Sequence, residues 1–384
     1  MFGSDPDIAE LVDPAGEPEA PILVVLGGGP AQRHAIDAAH ALGVRTVVCD
    51  SGPGVGDMLV SSEDLGGVSE AAAGADGLIA PGTDWPVRIA AQVADDMGLP
   101  HPITPEVAAL ATDKIAQRER LEAAGVHQPR WSVSGPPAYP CVVKAPDRQG
   151  QRAMTIVTGP DDLASAVRRA EAESRAGEVL FEEFVPGPEV TVNGFSLDGA
   201  NVAVAVTDRI HFPRAPGVAR RHVFPCEADP ALPALEASRA VAALGITSGP
   251  WYVQVICAHD RPRIVEVAAR LGGGHDSELV LRVTGVDLAA AAVRAALGWN
   301  VAAEAIAPLP VGAGVIEFLE APPGTLVSAT GPPEACFYDP PGHVYAPIRI
   351  ATDRAGYVLA TAPTREEALA RAAALVADVH FGVA

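Results

Sequence analysis

The chain has 384 residues, and 48% of them are hydrophobic, which is enough to build two or three packed subdomains. Its formal net charge of −21 argues against binding to nucleic acid or to an anionic membrane, because both require a basic surface. The five cysteines are scattered without a CxxC pair, a pattern typical of reduced thiols in the cytoplasm rather than of a disulfide framework.

The chain begins with an acidic, proline-rich stretch, residues 1–20, for which we predict a flexible segment and no signal peptide. A βαβ unit follows, with a buried strand at 21–26, a glycine-rich turn at 27–30, a helix that ends at Gly43 and a second strand that ends at Asp50. The turn has two interpretations, an anion site at the start of a helix or an ordinary connection, and the sequence does not separate them.

Further along the chain, the pattern changes from alternating strands and helices to hairpins. One or two helices are predicted over 104–124, and a linker rich in glycine and proline follows at 134–140. Two strands then flank a polar loop at 147–153, and two more hairpins are expected with turns at 198–200 and 259–261. This order predicts a mixed architecture, α/β in the first part of the chain and α+β in the second.

Lysine is rare in this chain, because only Lys114 and Lys144 stand among its 27 lysine and arginine residues. Lys144 follows the apolar sequence CVV, where a buried ammonium group needs an anionic partner. The adjoining loop supplies Arg148 and Arg152 as further donors, so the first interpretation is a phosphate-binding site. The alternative is a lysine that extends from the strand end into solvent or pairs with Asp147.

Glu182 and Glu183 are neighbours in the apolar strand sequence VLFEEFV, so their side chains point to opposite faces of the strand. The apolar residues at 180–181 and 184–185 would enclose a flat heterocycle. We therefore treat Glu182, Glu183 and Val185 as candidate nucleotide-binding residues. Taken by itself, the segment also fits a solvated acidic strand edge.

Gln254 and Glu266 lie on consecutive predicted strands and can therefore face each other across a hairpin. Glu266 is in the apolar sequence IVEVAAR, where an uncompensated carboxylate is costly, and this favours a Mg²⁺ site at Glu266 and Gln254. The alternative is a surface ion pair between Glu266 and Arg270. A glycine-rich segment then ends in His275, which is a candidate general base or phosphate donor, or else a capping or solvent-facing residue.

The order of these motifs resembles the ATP-grasp superfamily, and in particular the branch shared by biotin carboxylase, the formyl- and carboxy-transferring purine enzymes and the L-amino acid ligases. The resemblance extends from about residue 21 to residue 379. The segments that carry it are PGTD (81–84), TDK (112–114), CVVKAPDRQGQRA (141–153), FEEFVPGPEVTV (181–192), RIVEVAARLGGGH (263–275) and DRAGYVLATAPTREEAL (353–369).

The resemblance implies one role for each matching residue. These roles are phosphate binding for Lys114 and Lys144, adenine binding for Glu182 and the backbone near Val185, ribose binding for Glu189, Mg²⁺ binding for Glu266, and stabilisation of an acyl phosphate for Arg270. The chain departs from the family at Gln254, where relatives usually carry glutamate, and at Ala268, where they carry asparagine, so the number of Mg²⁺ ions is left open. A basic cluster within 209–222 is a further departure, interpreted as an anionic-substrate site or as a solvated loop.

The resemblance also predicts the fold and the activity. The expected fold is an ATP-grasp fold with an N-terminal Rossmann-like domain, divided into 21–110 (Rossmann-like), 111–133 (helical linker), 134–182 (lid) and 183–384 (large subdomain). The expected reaction joins a small-molecule carboxylate to an amine, uses ATP and Mg²⁺, and releases ADP and phosphate in a cytoplasmic homodimer. The alternatives are carboxylation or formylation through carboxyphosphate or formyl phosphate, and an ATP-binding regulatory protein without catalysis.

Overall fold

The computed structural model describes residues 20–52, 55–309 and 311–384, so the flexible N-terminal stretch predicted from the sequence lies outside the described residues, apart from residue 20. The first described part is a parallel sheet of β1 (Ile22–Leu26), β2 (Arg45–Asp50), β3 (Met58–Leu59) and β4 (Gly77–Ile79), in the order β3-β2-β1-β4. Its helices are α1 (Arg33–Ala41), α2 (Leu65–Ala71) and α3 (Asp84–Met97).

The predicted βαβ unit is confirmed, because β1 and β2 pair in parallel and α1 connects them. Strand β1 forms at a continuous apolar run whose side chains are almost completely buried, as expected for a strand covered on both faces. In the glycine-rich turn, the Gly28 N–H donates to Asp50 Oδ2 at 2.9 Å. One of the donors that an anion would use in this turn is therefore already bonded within the chain.

Two helices, α4 (Pro105–Ala111) and α5 (Lys114–Ala123), form where one or two were predicted. Thr104 caps α4 by accepting a hydrogen bond from the N–H of Val107 at 3.4 Å. Asp113 caps α5 by accepting from the backbone of Ile115 at 2.9 Å. The second cap matters for the site, because it fixes Lys114 as the first residue of a helix.

A small antiparallel sheet is built from β5 (Trp131–Ser132), β6 (Cys141–Lys144), β7 (Thr155–Val157) and β8 (Leu180–Glu183), in the order β5-β8-β6-β7. The predicted hairpin around the loop 147–153 is confirmed by the pairing of β6 with β7. Helix α6 (Leu163–Glu173) packs on this sheet over a core of its own. Because β5 pairs with β8, the sheet takes its strands from residues 131–183, and both proposed lid boundaries fall inside it.

A large antiparallel sheet has the strand order β13-β12-β9-β10-β11-β14-β18-β16. Its strands are β9 (Glu189–Leu197), β10 (Ala200–Phe212), β11 (Ala215–Phe224), β12 (Gly249–Cys257), β13 (Pro262–Ala268), β14 (Ala313–Leu319), β16 (Ala335–Phe337) and β18 (Gly356–Ala362). A three-stranded sheet contains β15 (Gly324–Thr330), β17 (Val344–Tyr345) and β19 (His380–Val383). The remaining helices are α7 (Ala231–Ala243), α8 (Asp276–Thr284), α9 (Leu288–Ala296) and α10 (Arg365–Ala377).

The predicted combination of α/β and α+β parts is confirmed by these sheets. The predicted hairpins with turns at 198–200 and 259–261 are the pairs β9–β10 and β12–β13. Helix α9 packs against α1 and also against β12, so the parallel sheet and the large sheet share one continuous apolar core. None of the helices in the described part of the chain is long and apolar enough to cross a membrane.

Candidate active site

A cavity of about 790 Å³ lies between the small sheet and the large sheet, under the loop 147–153. Nine of the residues predicted from the sequence line it, although they come from distant parts of the chain. These residues are Lys114, Lys144, Arg152, Glu182, Glu183, Val185, Glu189, Gln254 and Glu266. The structure therefore brings together every residue predicted to bind nucleotide or metal, while Arg270 and His275 lie outside the lining of this cavity.

The two lysines are buried at one end of the cavity, and each has a carboxylate partner. Lys114 Nζ lies 2.7 Å from Glu266 Oε1 and donates to the carbonyl oxygen of Arg148, also at 2.7 Å. Lys144 Nζ lies 2.7 Å from Glu182 Oε2. Burial lowers the pKa of Lys144 even though Glu182 opposes the shift. Burial acts on Lys114 in the same sense, but the carboxylates, above all Glu266, outweigh it and raise the pKa of Lys114.

Glu182 is held by two cations, one of which the sequence did not suggest. Arg118 Nε lies 2.7 Å from Glu182 Oε1, and its guanidinium is completely buried. Burial opposes ionisation of Glu182, but Arg118 and Lys144 together lower its pKa to about 2. Both carboxylate oxygens are already bonded to cations, so the adenine-binding role that the resemblance implies for Glu182 remains a prediction. The spacing of four residues between Lys114 and Arg118 on one helix is the signal that was available in the sequence.

The other end of the cavity is apolar. Its lining side chains include Val142, Met154, Ile156, Phe184, Val185, Ile210, Ile256 and Val265. Of the apolar residues predicted to enclose a heterocycle, the residues at 184–185 line the cavity, whereas Phe181 packs in the core of the small sheet. The prediction was wrong for Phe181 because β8 alternates, and its side chain points to the face covered by α6.

Glu189 lies beside the cavity with two basic partners. Its carboxylate is 2.8 Å from Arg209 Nη1 and 3.0 Å from His211 Nε2. Burial opposes its ionisation, but Arg209 and His211 hold the pKa of Glu189 below its usual range. The basic cluster of 209–222 is therefore not one site, because Arg220 and Arg221 turn instead to Glu317 on β14.

Gln254 and Glu266 are direct cross-strand partners in the β12–β13 pair, as the hairpin predicted, and both line the cavity. Gln254 Nε2 donates to the hydroxyl of Tyr252 at 3.3 Å. The alternative pairing of Glu266 with Arg270 does not form, because Arg270 bonds to Asp84 and Glu266 bonds to Lys114. Within the residues described, no group of three or more His, Cys, Asp and Glu side chains is arranged to hold a metal ion. A cation at Glu266 would therefore need ligands from a bound phosphate.

Arg270 links the large sheet to the first residue of α3. Its Nε and Nη2 atoms both lie 2.5 Å from Asp84 Oδ1, and Nη1 donates to the carbonyl oxygen of Leu271 at 2.7 Å. Asp84 also lines a second cavity of about 180 Å³, which shares with the first Lys114 and four residues of the loop 147–153, namely Arg148, Gln149, Gly150 and Arg152. The pair of Arg270 and Asp84 thus stands next to the end of the large cavity that carries the lysines.

His275 lies in a different place from the one predicted. It lines a separate cavity of about 930 Å³ beside the glycine-rich turn that follows β1. Its Nδ1 is 2.7 Å from Glu278 Oε1, its Nε2 is 2.8 Å from the Tyr338 hydroxyl, and its ring stacks on Tyr357 at 3.8 Å. The solvent-facing alternative was wrong, because His275 is 4% exposed. A role at the phosphates is not supported by this position.

Comparisons by sequence agree with this geometry. Residues 317–384 match the family model for L-amino acid ligase C-terminal domain 2. An uncharacterized protein of Sinorhizobium fredii is 25% identical over a stretch that covers 72% of this chain and 62% of that protein. A D-alanine–D-alanine ligase of Synechococcus is 27% identical over 41% of this chain and 50% of that enzyme. The matched stretches thus span about half to three-fifths of these relatives.

Comparisons by structure cover almost the whole chain. An L-amino acid ligase from Bacillus licheniformis superposes with a TM-score of 0.81 and 18% identity, over 96% of this chain and 100% of that one. A second similar structure is the biotin carboxylase domain of Hydrogenobacter thermophilus 2-oxoglutarate carboxylase, which was solved with MgADP, ADP and bicarbonate. It superposes with a TM-score of 0.78 and 17% identity, over 94% of this chain and 90% of that one.

The chain therefore has the ATP-grasp fold that these solved structures share. Its C-terminal residues 317–384 are similar in sequence to the second C-terminal domain of the L-amino acid ligases.

Proposed function

We propose that this protein is an ADP-forming ligase that activates a small carboxylate as an acyl phosphate and joins it to an amine. The observation that carries the proposal is the cavity itself, with two buried lysines at one end and apolar side chains at the other. That arrangement is complementary to a nucleoside triphosphate, which is flat and apolar at one end and highly charged at the other. The match of 317–384 to L-amino acid ligases supports an amino acid as the substrate class.

The chemistry of the lining supports one orientation of the nucleotide. Val185 and Ile256 stand where a purine ring packs, and Glu189 stands where a ribose hydroxyl donates. Lys114 and Lys144 bind the phosphates, and Arg152 is in the loop that covers them. Each lysine is already held in place by a carboxylate, so little side-chain freedom is lost when the phosphates bind.

Magnesium fits the residues at the phosphate end. Glu266 supplies the carboxylate that would hold Mg²⁺, and Gln254 supplies a neutral amide oxygen opposite it. The bound cation would neutralise charge on the phosphate oxygens. The remaining steps depend on this chain's own residues, which bind, orient and exclude water.

The carboxylate substrate is placed in the second cavity, next to Asp84 and Arg270. In the first step, a carboxylate oxygen attacks the γ-phosphorus of ATP, the bond to the β–γ bridging oxygen breaks, and ADP leaves. In the second step, the neutral amine nitrogen attacks the acyl carbon and the amide bond forms. The bond from the acyl carbon to the phosphate oxygen breaks, and phosphate leaves with the oxygen it received and takes up the proton that the amine loses. Arg270 stabilises the charge that develops on the acyl phosphate, and no side chain of the protein becomes covalently modified.

One rival activity has support of its own. The biotin carboxylase neighbour was solved with bicarbonate, and bicarbonate or formate is small enough for the second cavity. That activity predicts ATP turnover stimulated by bicarbonate or formate without an amino acid.

A second alternative is a regulatory protein that binds ATP without turnover. It would be consistent with the loss of metal ligands at Gln254 and Ala268. We also propose that the protein is a homodimer in the cytoplasm, as the resemblance implies.

The test is a phosphate-release screen of amino acids and small carboxylates with ATP and Mg²⁺, followed by mass analysis of the products. We expect ADP, phosphate and an amide in equal amounts for at least one pair of substrates. Release of AMP and pyrophosphate, or ADP formation with bicarbonate alone, would contradict the proposal.

A pair of exposed arginines provides matched variants for this screen. Arg152 lies in the loop above the cavity, while Arg168 lies on the exposed face of α6 and does not line it. Arg152→Ala should raise the KM for ATP about tenfold, because one charge-assisted phosphate contact is worth about 1.5 kcal/mol. Arg168→Ala should leave the KM unchanged, since its surface charge is remote from the nucleotide.

A further inference from the structure

Carboxylates are unusually scarce on the part of the large sheet that faces the phosphate end of the cavity. Cross-strand pairing places Glu266 opposite Gln254, Gln254 opposite Thr191, and Thr191 opposite Thr207. The two threonine hydroxyls are buried and bonded to each other at 2.6 Å. This row of four partners therefore contains one anion, Glu266, followed by a neutral amide and two mutually satisfied hydroxyls.

The next row along the sheet contains no anion at all. Tyr252 is paired with Ala268 on one side and with Asn193 on the other. Ala268 is buried and carries no donor atom, and Asn193 donates to Asp276 at 3.4 Å. A cation bound at the phosphates thus finds no second carboxylate on either row.

Three other carboxylates near this end are already committed to side-chain cations, while Asp147 in the second cavity accepts from the Ser174 hydroxyl and from the backbone N–H of Arg175. Asp84 is bonded to Arg270, Glu189 to Arg209, and Glu182 to both Arg118 and Lys144. Glu266 differs, because its partner Lys114 also donates to a backbone carbonyl and can turn to a phosphate oxygen. Glu266 is therefore the one carboxylate of this set that a phosphate-bound cation can recruit without leaving a buried arginine unpaired.

From these donors we infer that the site binds a single divalent cation per nucleotide, held by Glu266 and phosphate oxygens. A two-cation site needs carboxylates that bridge or flank both ions, and a carboxamide is a much weaker ligand for a hard cation. Lys114 and Lys144 supply the remaining positive charge at the phosphates. The inference rests on the proposed function, because the phosphates that complete the cation's coordination come from bound ATP.

The number of cations can be counted without measuring turnover. The protein is loaded with the non-hydrolysable β,γ-imido analogue of ATP and titrated with Mn²⁺, and free Mn²⁺ is counted by electron paramagnetic resonance. We expect one tightly bound Mn²⁺ per nucleotide-loaded chain and no signal from a spin-coupled pair. Two bound Mn²⁺ ions in the unmodified protein would overturn the inference.

Variants test whether the residues at positions 254 and 268 limit the site to one cation. The double variant Gln254→Glu, Ala268→Asn should bind two Mn²⁺ ions and show the signal of a coupled pair. Gln254→Leu, which removes the amide oxygen, should stay at one ion. If the double variant is folded by circular dichroism and still binds one, the assignment to these positions is overturned. Absence of analogue binding in calorimetry would overturn the proposed function itself, and the inference with it.

Discussion

At the scale of single residues, Glu182 is the centre of a buried ionic group at the large cavity. It joins Arg118 on α5 to Lys144 on β6, and all three side chains are buried. Removing one member of such a buried group leaves a charge without a partner, which costs far more than breaking a surface ion pair. Glu182 thus holds Lys144, the lysine proposed to bind phosphate, in a fixed position.

This arrangement predicts a pH-dependent stability for Glu182→Gln. The carboxyl has a pKa of about 2 in the folded protein against a reference value of 4.5, so its stabilising effect is present above about pH 4.5 and is lost as the pH falls towards 2. We expect the variant to lose about 3 kcal/mol in the free energy of unfolding at pH 7, and the difference from the unmodified protein to shrink below pH 4.5. Urea unfolding at pH 7 and at pH 3.5 measures both values.

Glu183→Gln is the matched control for that measurement. Glu183 is the next residue, but it pairs with Arg130, whose side chain is 66% exposed. Its removal should cost less than about 1 kcal/mol at either pH, because solvent screens the pair. Equal losses for the two variants would show that Glu182 is not the buried counterion that the structure describes.

The residues of the site were predictable from the sequence to different degrees. Lys144 and Glu266 were predicted because a charge within an apolar segment is conspicuous wherever the chain folds, whereas Lys114 was predicted from the scarcity of lysine and from the family resemblance. The partners of Glu182 and Arg270 were harder to predict, since Arg118 and Asp84 meet them only after distant elements pack together. A single sequence contains the charges but not the pairing, and so neither partner was assigned.

At the scale of elements, the β6–β7 hairpin carries the loop 147–153, which covers the end of the cavity where the two lysines lie. Three contacts tie the loop down in the structure. Lys114 Nζ donates to the carbonyl oxygen of Arg148, Asp84 N donates to Gln149 Oε1, and Ala351 N donates to the carbonyl oxygen of Gly150. The loop is thus bonded to the first residue of α5, to the first residue of α3 and to Ala351 in the C-terminal part of the chain.

The backbone of this loop is strained in that position. Gln151 and Ala153 have φ values of 67° and 55°, and non-glycine residues hold such values only when their surroundings compensate. We expect nucleotide phosphates to supply that compensation, so amide hydrogen exchange over 148–153 should slow at least tenfold when the β,γ-imido analogue binds. Mass spectrometry of exchanged peptides measures it.

Another tight turn in the same chain serves as the internal control. The turn between β9 and β10 also contains a non-glycine residue in the left-handed region, Asp198 with a φ of 48°, but it does not line the nucleotide cavity. Its exchange should not respond to the analogue. A loop that exchanges at the same rate with and without nucleotide would contradict the proposed closure.

Elements with a clear hydrophobic period and turn residues were predicted well. The hairpins of the small and large sheets and the βαβ unit all have apolar runs bounded by glycine, proline or aspartate. Strand β5 was not predicted, because a strand of two residues shows no periodic pattern. It is defined only by its pairing with β8, whose residues are about fifty positions further along the chain. The lid boundary at 134 was placed at a linker within the sheet for the same reason.

At the scale of the whole molecule, the parallel sheet and the large sheet behave as one packed body, whereas the small sheet has a separate core. Apolar residues of β1 and α1 share a cluster with residues of α8 and α9. The core of the small sheet is a distinct cluster around Val143, Val157 and Phe181. This division allows the small sheet to move over the cavity while the surfaces beneath it stay fixed.

The two sheet regions approach each other closely at Gly77, the first residue of β4. A Cβ atom added there would lie 2.3 Å from the carbonyl oxygen of Ala296, at the end of α9. Gly77→Ala must therefore push α9 away from β4, and we expect a loss of about 1–3 kcal/mol. Because the two regions share one core, scanning calorimetry should show the entire main transition moving to lower temperature. Gly66→Ala on α2 is the control, since only Asp64 lies within 4 Å of the added atom, at 3.7 Å, and the helix gains from alanine. A variant in which one part of the transition moves while the rest stays in place would show that the parallel sheet unfolds on its own, and that the lysine end of the cavity is not held on a single rigid base.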